Sequence, residues 1–152
     1  MPNTDSAKKK YAIKAIKQVT NYDIARSNWF QDTYYEEYQL RYGENPQRKA
    51  TALISKNKFK QLSGEKRLSY NNLLDLDAAV TIAYDTNSNK YICTIIKHNI
   101  PCGASIEDTQ IKSYRNALAS DPVSAFGGII AFNKKINVQT TRKLIENFYE
   151  VV

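Results

Sequence analysis

Tyr91-Ile92-Cys93-Thr94-Ile95-Ile96 is the stretch on which the fold turns. It is rich in β-branched residues and almost continuously apolar, the pattern of a strand covered on both faces. The run stops at Lys97-His98, and Pro101 and Gly103 are expected to break the chain just beyond. Downstream, a helix is expected over Glu107 to Ala119, with Ile111, Tyr114, Ala117 and Leu118 on its inner face. Asp121-Pro122 closes that helix, because the residue before a proline resists helical geometry. Gly127-Gly128-Ile129-Ile130-Ala131-Phe132 reads as another strand, and Asn137 or Thr140 opens a last helix ending near Tyr149.

Upstream of the central strand the periodicity changes. From Lys10 to about Gln31, Ala12, Ala15, Ile16, Val19, Ile24 and Trp29 recur at helical spacing over a polar background. A tyrosine-rich polar stretch, Asp32 to Gln39, follows, then a loop marked by Gly43 and Asn45-Pro46. Ala50 to Ser55 reads as a short strand and Ser63-Gly64-Glu65-Lys66 as a turn. Leu73, Leu74, Leu76, Ala78, Ala79, Ile82 and Ala83 describe a helix ending near Asp85-Thr86-Asn87-Ser88-Asn89, a run of turn formers. Strands alternating with helices indicate an α/β layered domain. Glu150-Val151-Val152 resembles the opening of a further strand. The expectation is therefore an α/β fold incomplete at its C-terminus, that is, a fragment.

Bulk properties narrow the class. A chain of 152 residues, 42% hydrophobic and 24% charged, suits one soluble globular domain rather than a disordered segment. No stretch approaches the ~18 uninterrupted apolar residues of a membrane span. The start, with Lys8-Lys9-Lys10 and no apolar core behind it, does not resemble a secretory signal. Cys93 and Cys102 are too few for a disulfide framework and suggest reduced thiols, so the expected compartment is the cytoplasm. A single histidine and no Cys/His cluster argue against a metal site. The net charge of +7 with eleven tyrosines fits three readings: a solvated face, a site for a phosphate-bearing small molecule, or a single-strand nucleic-acid surface. The basic residues are spread along the chain, which places the solvated face first and nucleic acid last.

Three places could carry chemistry. Lys97-His98 ends a buried strand, where α/β sheets commonly place ligands, and a neighbouring cation favours an uncharged, proton-accepting imidazole. Adjacent strand residues point to opposite faces, so both groups can serve one site only if the backbone leaves regular geometry there. Ser124-Ala125-Phe126-Gly127-Gly128 sets two glycines before a strand, where exposed amides could hold an anion and where a plain tight turn is as good a reading. Arg41-Tyr42-Gly43 offers a loop cation beside a ring, suited to a phosphate and a planar base, though such pairs also occur on ordinary surfaces. Neither a P-loop nor a dinucleotide fingerprint is present.

Four strings in one order carry a resemblance. They are Leu40 to Pro46; Leu68-Ser69-Tyr70-Asn71-Asn72 with Asp75-Leu76-Asp77-Ala78-Ala79; Ile96-Lys97-His98-Asn99-Ile100-Pro101-Cys102-Gly103; and Asp121-Pro122-Val123-Ser124-Ala125-Phe126-Gly127-Gly128-Ile129. Together they resemble the transformylase domain of the AICAR formyltransferase/IMP cyclohydrolase family of purine biosynthesis. Residues 1–39 are similar to the connecting helix and linker from the cyclohydrolase side, and 40–152 to the N-terminal half of the transformylase domain.

The resemblance implies a cytidine-deaminase-like mixed-sheet α/β fold, a homodimer, and formyl transfer from 10-formyltetrahydrofolate to the amine of AICAR. It implies His98 as general base and Lys97 as the cation facing the formyl oxygen. Arg41, Tyr42 and Asn72 would hold the nucleotide, with the Gly127-Gly128 backbone as a further contact. No metal, nucleic acid or membrane is implied, and the chain alone is expected to be inactive. Two departures stand out: Gln47-Arg48 where the family has His-Gln, and Asn99-Ile100 where it has an arbitrary residue and then Asn. The alternatives are a non-catalytic remnant of a decayed gene and, from a different class, a basic RNA-binding module.

Overall fold

A computed structural model describes residues 4–56, 60–85 and 87–152, so Thr86 of the expected turn and the first three residues lie outside the described residues. The chain forms two compact units: Met1–Gln39 with Thr51–Glu65, and Leu40–Ala50 with Lys66–Val152.

The first unit holds α1 (Asp5–Tyr34), β1 (Tyr35–Gln39) and β2 (Thr51–Ser55). The hydroxyl of Thr4 caps α1 by accepting the Ala7 N–H at 3.3 Å, which starts the helix earlier than its apolar spacing suggests. None of its residues is buried. β1 and β2 pair antiparallel from Tyr35↔Ser55 to Gln39↔Thr51. β1 was not expected, because Tyr-Glu-Glu-Tyr does not alternate between apolar and polar.

The second unit holds α2 (Tyr70–Asp85), β3 (Tyr91–Lys97), β4 (Ile100–Glu107), α3 (Gln110–Ser120), α4 (Pro122–Ala125), β5 (Ile129–Phe132) and α5 (Val138–Leu144). The sheet runs β4-β3-β5 with both pairings antiparallel. A parallel bridge from Ile129 to Val151 makes the pattern mixed, and Val151 begins to extend the sheet as its sequence suggests. Central β3 is buried from Ile92 through Ile96. Cys93 and Ile95 face Tyr114, Ala117, Ala125, Ile130, Leu144 and Tyr149 on one side. Ile92 and Ile96 face Ala79, Ala83, Ile129 and Ala131 on the other. The continuous apolar run thus meets two cores, and the one polar residue within it, Thr94, donates its hydroxyl to the Ala79 carbonyl at 3.0 Å.

One expectation fails here. Pro101 and Gly103 do not break the chain after β3; they lie inside β4, which returns immediately along β3. Proline is tolerated because β4 is an edge strand with a free side. Glycine is required because a Cβ at 103 would sit 1.9 Å from the Ala117 carbonyl oxygen of α3. The helix consequently starts at Gln110 rather than Glu107.

Candidate functional site

β3 and β4 are joined by the shortest of connections. Lys97 pairs with Ile100, leaving His98 and Asn99 as the two turn residues. Both have positive φ, 54° and 61°, the pattern of a type I′ hairpin turn, whose twist matches that of the strands it joins. Asparagine tolerates this left-handed region better than most residues; histidine does so at some cost. A register shift opposite Ile95/Ile96 inserts Cys102 as an extra residue in β4. The irregularity required for Lys97 and His98 to share a site therefore lies in the turn itself, with the bulge beside it.

Lys97 and His98 line one cleft of about 360 Å³ together with Ile100, Pro101, Cys102, Asp121 and Ser124. Lys97 is half-buried, and its ammonium donates to the Phe126 carbonyl at 2.8 Å. An ammonium has three donors, so two remain for a ligand. Asp121 lines the same cleft, and its carboxylate caps α4 by accepting the Ser124 N–H at 3.0 Å. Hydrogen bonds from Ser124 hold that carboxyl below its ordinary value. The Cys102 thiol is pushed up, first by burial and then by the nearby Asp121 charge; Asp75 adds to this and Lys97 opposes it.

Arg41, Tyr42 and Asn72 are gathered at the start of α2. The Arg41 N–H donates to the Leu68 carbonyl at 2.8 Å, and the Tyr70 N–H to the Tyr42 carbonyl at 3.1 Å. The Arg41 guanidinium lies 4.9 Å from the centre of the Tyr42 ring and donates to its hydroxyl at 3.2 Å. Its Nε is buried with no hydrogen-bond partner among the described residues. Asn72 accepts the Ser69 N–H and hydroxyl through Oδ1, both at 2.9 Å, while Ser69 Oγ accepts the Asn72 N–H at 3.2 Å. This reciprocal pairing, of the capping-box type, starts α2 and fixes the side chain of Asn72. One turn further along, Asp75 accepts the Asn99 N–H at 2.6 Å. The first turns of α2 thus link the Arg41-Tyr42 segment to the His98-Asn99 turn.

The glycine pair behaves differently from its expected use. The Gly127 N–H is given to the Phe148 carbonyl at 2.8 Å and the Gly128 N–H to the Ala125 carbonyl at 3.0 Å, so neither amide is free to hold an anion in this arrangement. The residues are needed for space: Gly127 has a φ of +71°, and a Cβ at Gly128 would come within 2.9 Å of the Ile96 carbonyl oxygen. Asp75, Asp121 and Cys102 were not singled out from sequence. For Asp75 the available signal was its place three residues after Asn72 on a helix, hence on the same face.

A profile of the AICARFT/IMPCHase bienzyme family matches residues 2–152. The chain is similar to the bifunctional purine biosynthesis protein PurH of Persephonella marina, with 39% identity over 95% of this chain and 32% of that protein. Its likeness to the PurH of Prochlorococcus marinus strain MIT 9515 is 41% identity over 99% of this chain and 34% of the relative. For the PurH of Clostridium botulinum strain 657 the figures are 41%, 95% and 32%. The chain spans about a third of the length of the curated relatives it matches.

Proposed function

This chain belongs to the AICARFT/IMPCHase bienzyme family, and on that premise we propose that it carries part of the site where a formyl group passes from 10-formyltetrahydrofolate to the amine of AICAR. Residues 40–152 form the first half of the transformylase domain, and residues 1–39 are the helix and linker arriving from the cyclohydrolase side. The whole protein acts as a homodimer in the cytoplasm on these two small molecules. The rest of the protein is needed for turnover.

The chemistry sets the demands. The amine of AICAR is conjugated with its ring, so it is a weak nucleophile and must shed a proton as its nitrogen bonds to the formyl carbon. In this reading His98 takes that proton. Lys97 uses its remaining donors to face the formyl oxygen, which gains negative charge as the tetrahedral intermediate forms. Collapse breaks the bond between the formyl carbon and the folate nitrogen, and that nitrogen leaves with a proton as tetrahydrofolate. Arg41 offers its charge to the nucleotide phosphate, Tyr42 its ring to the base, and Asn72 its Nδ2, which donates to nothing among the described residues. Gly127 and Gly128 keep the wall behind Lys97 free of side chains.

The observation that carries this reading is that Lys97 and His98, adjacent in sequence, line one cleft. Its test is a titration of the isotope-labelled chain with AICAR, followed by NMR at backbone amides and at the His98 ring. The expected result is weak binding, saturating at millimolar ligand at best, with shifts concentrated at Arg41, Tyr42, Asn72, Lys97 and His98. Shifts confined to other surfaces would overturn the assignment.

A further inference from the structure

The turn that carries His98 is two residues long, both in left-handed backbone conformation, and it projects from the sheet with both side chains exposed. Such a turn has few internal bonds of its own. Among the described hydrogen bonds, one ties it to α2: the Asp75 carboxylate accepts the Asn99 N–H at 2.6 Å. A bond from an amide to an ionised carboxylate is shorter and stronger than one to a neutral acceptor. Asp75 is half-buried and lies three residues after Asn72, so the two share a helix face, and Asn72 is itself locked to Ser69. Lys97 of β3, Asp121 before α4 and Asp75 itself all act on the Cys102 thiol.

We propose that Asp75 is a positioning residue for His98: by clamping the Asn99 amide it sets the imidazole at a fixed place relative to Asn72. The proposal rests on the reading of His98 as the proton acceptor, and it adds to that reading the group that holds the imidazole in place. Asp75 acts through the backbone and needs no contact with substrate. The clamp depends on charge: protonating Asp75 weakens the acceptor, and with it the turn's only tie to α2 among the described hydrogen bonds.

The test uses the labelled chain, with the Asn99 amide and the ring of His98, the sole histidine, as reporters. In the wild-type chain the Asn99 amide proton is expected far downfield and should move upfield as acid protonates Asp75. Asp75→Asn keeps an oxygen acceptor and the shape; it should abolish that titration while leaving the turn ordered. Asp75→Ala should raise the AICAR concentration needed to shift the His98 ring about tenfold, the scale of one charge-assisted hydrogen bond. Asp75→Asn, of the same shape but with a neutral acceptor, should recover only part of that loss; full recovery would mean that shape and not charge holds the turn. An Asn99 amide that ignores the carboxylate titration, or one that behaves alike in wild type and Asp75→Asn, overturns the proposal, even if Asp75→Ala fails to fold. If the Asn99 amide does follow Asp75 but AICAR leaves the wild-type His98 ring unmoved, the clamp stands and the catalytic reading falls.

Discussion

Replacing Gly103 with alanine should cost the second unit more than the same change at its other glycines, Gly43, Gly127 and Gly128. The ideal Cβ would lie 1.9 Å from the Ala117 carbonyl oxygen and 2.8 Å from its carbonyl carbon, with Ser120 Cβ at 3.2 Å. Contacts under 3.0 Å essentially never occur, so α3 must retreat from β4 by roughly 1 Å. The obstacle is helix backbone, which has no rotamer to change. Retreat also loosens Tyr114 and Ala117, both buried against Cys93 and Ile95 of the central strand. Overpacking of this kind costs ~1–3 kcal/mol and occasionally more; the backbone clash puts this case at about 3 kcal/mol. A domain of roughly a hundred residues loses ~4 °C or more per kcal/mol, so the melting temperature should fall by about 12 °C or more.

The assay is thermal unfolding followed by near-ultraviolet circular dichroism, to which Tyr114 and Tyr149 of this core should contribute. Gly43→Ala is the matched control. A Cβ there meets Ala50 Cβ at 3.3 Å and the Arg48 carbonyl oxygen at 3.4 Å, contacts that a shift of a few tenths of an ångström in the loop relieves. That variant should melt close to wild type. If Gly103→Ala melts within a few degrees of Gly43→Ala, the close approach of β4 and α3 is wrong, and with it the explanation of why glycine follows Cys102.

Two further outcomes follow from the same core. Cys93 is fully buried and its thiol is held well above its ordinary range by that burial, whereas Cys102 is half-buried and raised more by its surroundings than by charge alone. Iodoacetamide should therefore modify Cys102 alone in the folded chain, faster as pH rises, and reach Cys93 only in denaturant; equal native rates would contradict the packing. Glu107 is lowered from 4.5 chiefly by its hydrogen bond from Lys112, and Asp121 from 3.8 by Ser124. Depressed carboxyls stabilise the fold above their ordinary values and lose that contribution as pH falls through the lower folded ones. Denaturant midpoints should thus drop on acidification, by a small amount because both groups remain partly open to solvent, and less so in Glu107→Gln.

How much of this was legible in the sequence depends on where each signal comes from. β3 was legible because a strand between two layers needs apolar residues at every position, and Ile92 to Ile96 supply them. α2, α3 and β5 followed from periodicity, and the strand-like Glu150-Val151-Val152 does meet Ile129. β4 was not legible. Proline and glycine usually punctuate, and only the tertiary facts of an edge position and a helix pressed on Gly103 turn them into strand residues. The same holds at the site. Lys97, His98, Arg41, Tyr42 and Asn72 announce themselves as residue types in unusual strings. Asp75 does not, because a carboxylate on a helix face reads as a solvated charge until the Asn99 amide is seen against it.

The order of Asn99 and Ile100 was the most conspicuous departure from the family pattern, and the turn gives it a physical sense. The two central positions of a type I′ turn require positive φ, where asparagine is tolerated and a β-branched side chain is a true outlier costing ~1–3 kcal/mol. Here asparagine occupies the left-handed position, φ 61°, and isoleucine the first residue of β4, where extended backbone suits it. The reverse order would place isoleucine in the left-handed position. Ile100 remains 65% exposed on the wall of the cleft, so the departure adds an apolar surface beside His98 without disturbing the turn that presents it. The amide that the family pattern places at that position is here one residue earlier, and its backbone N–H is the group that Asp75 holds.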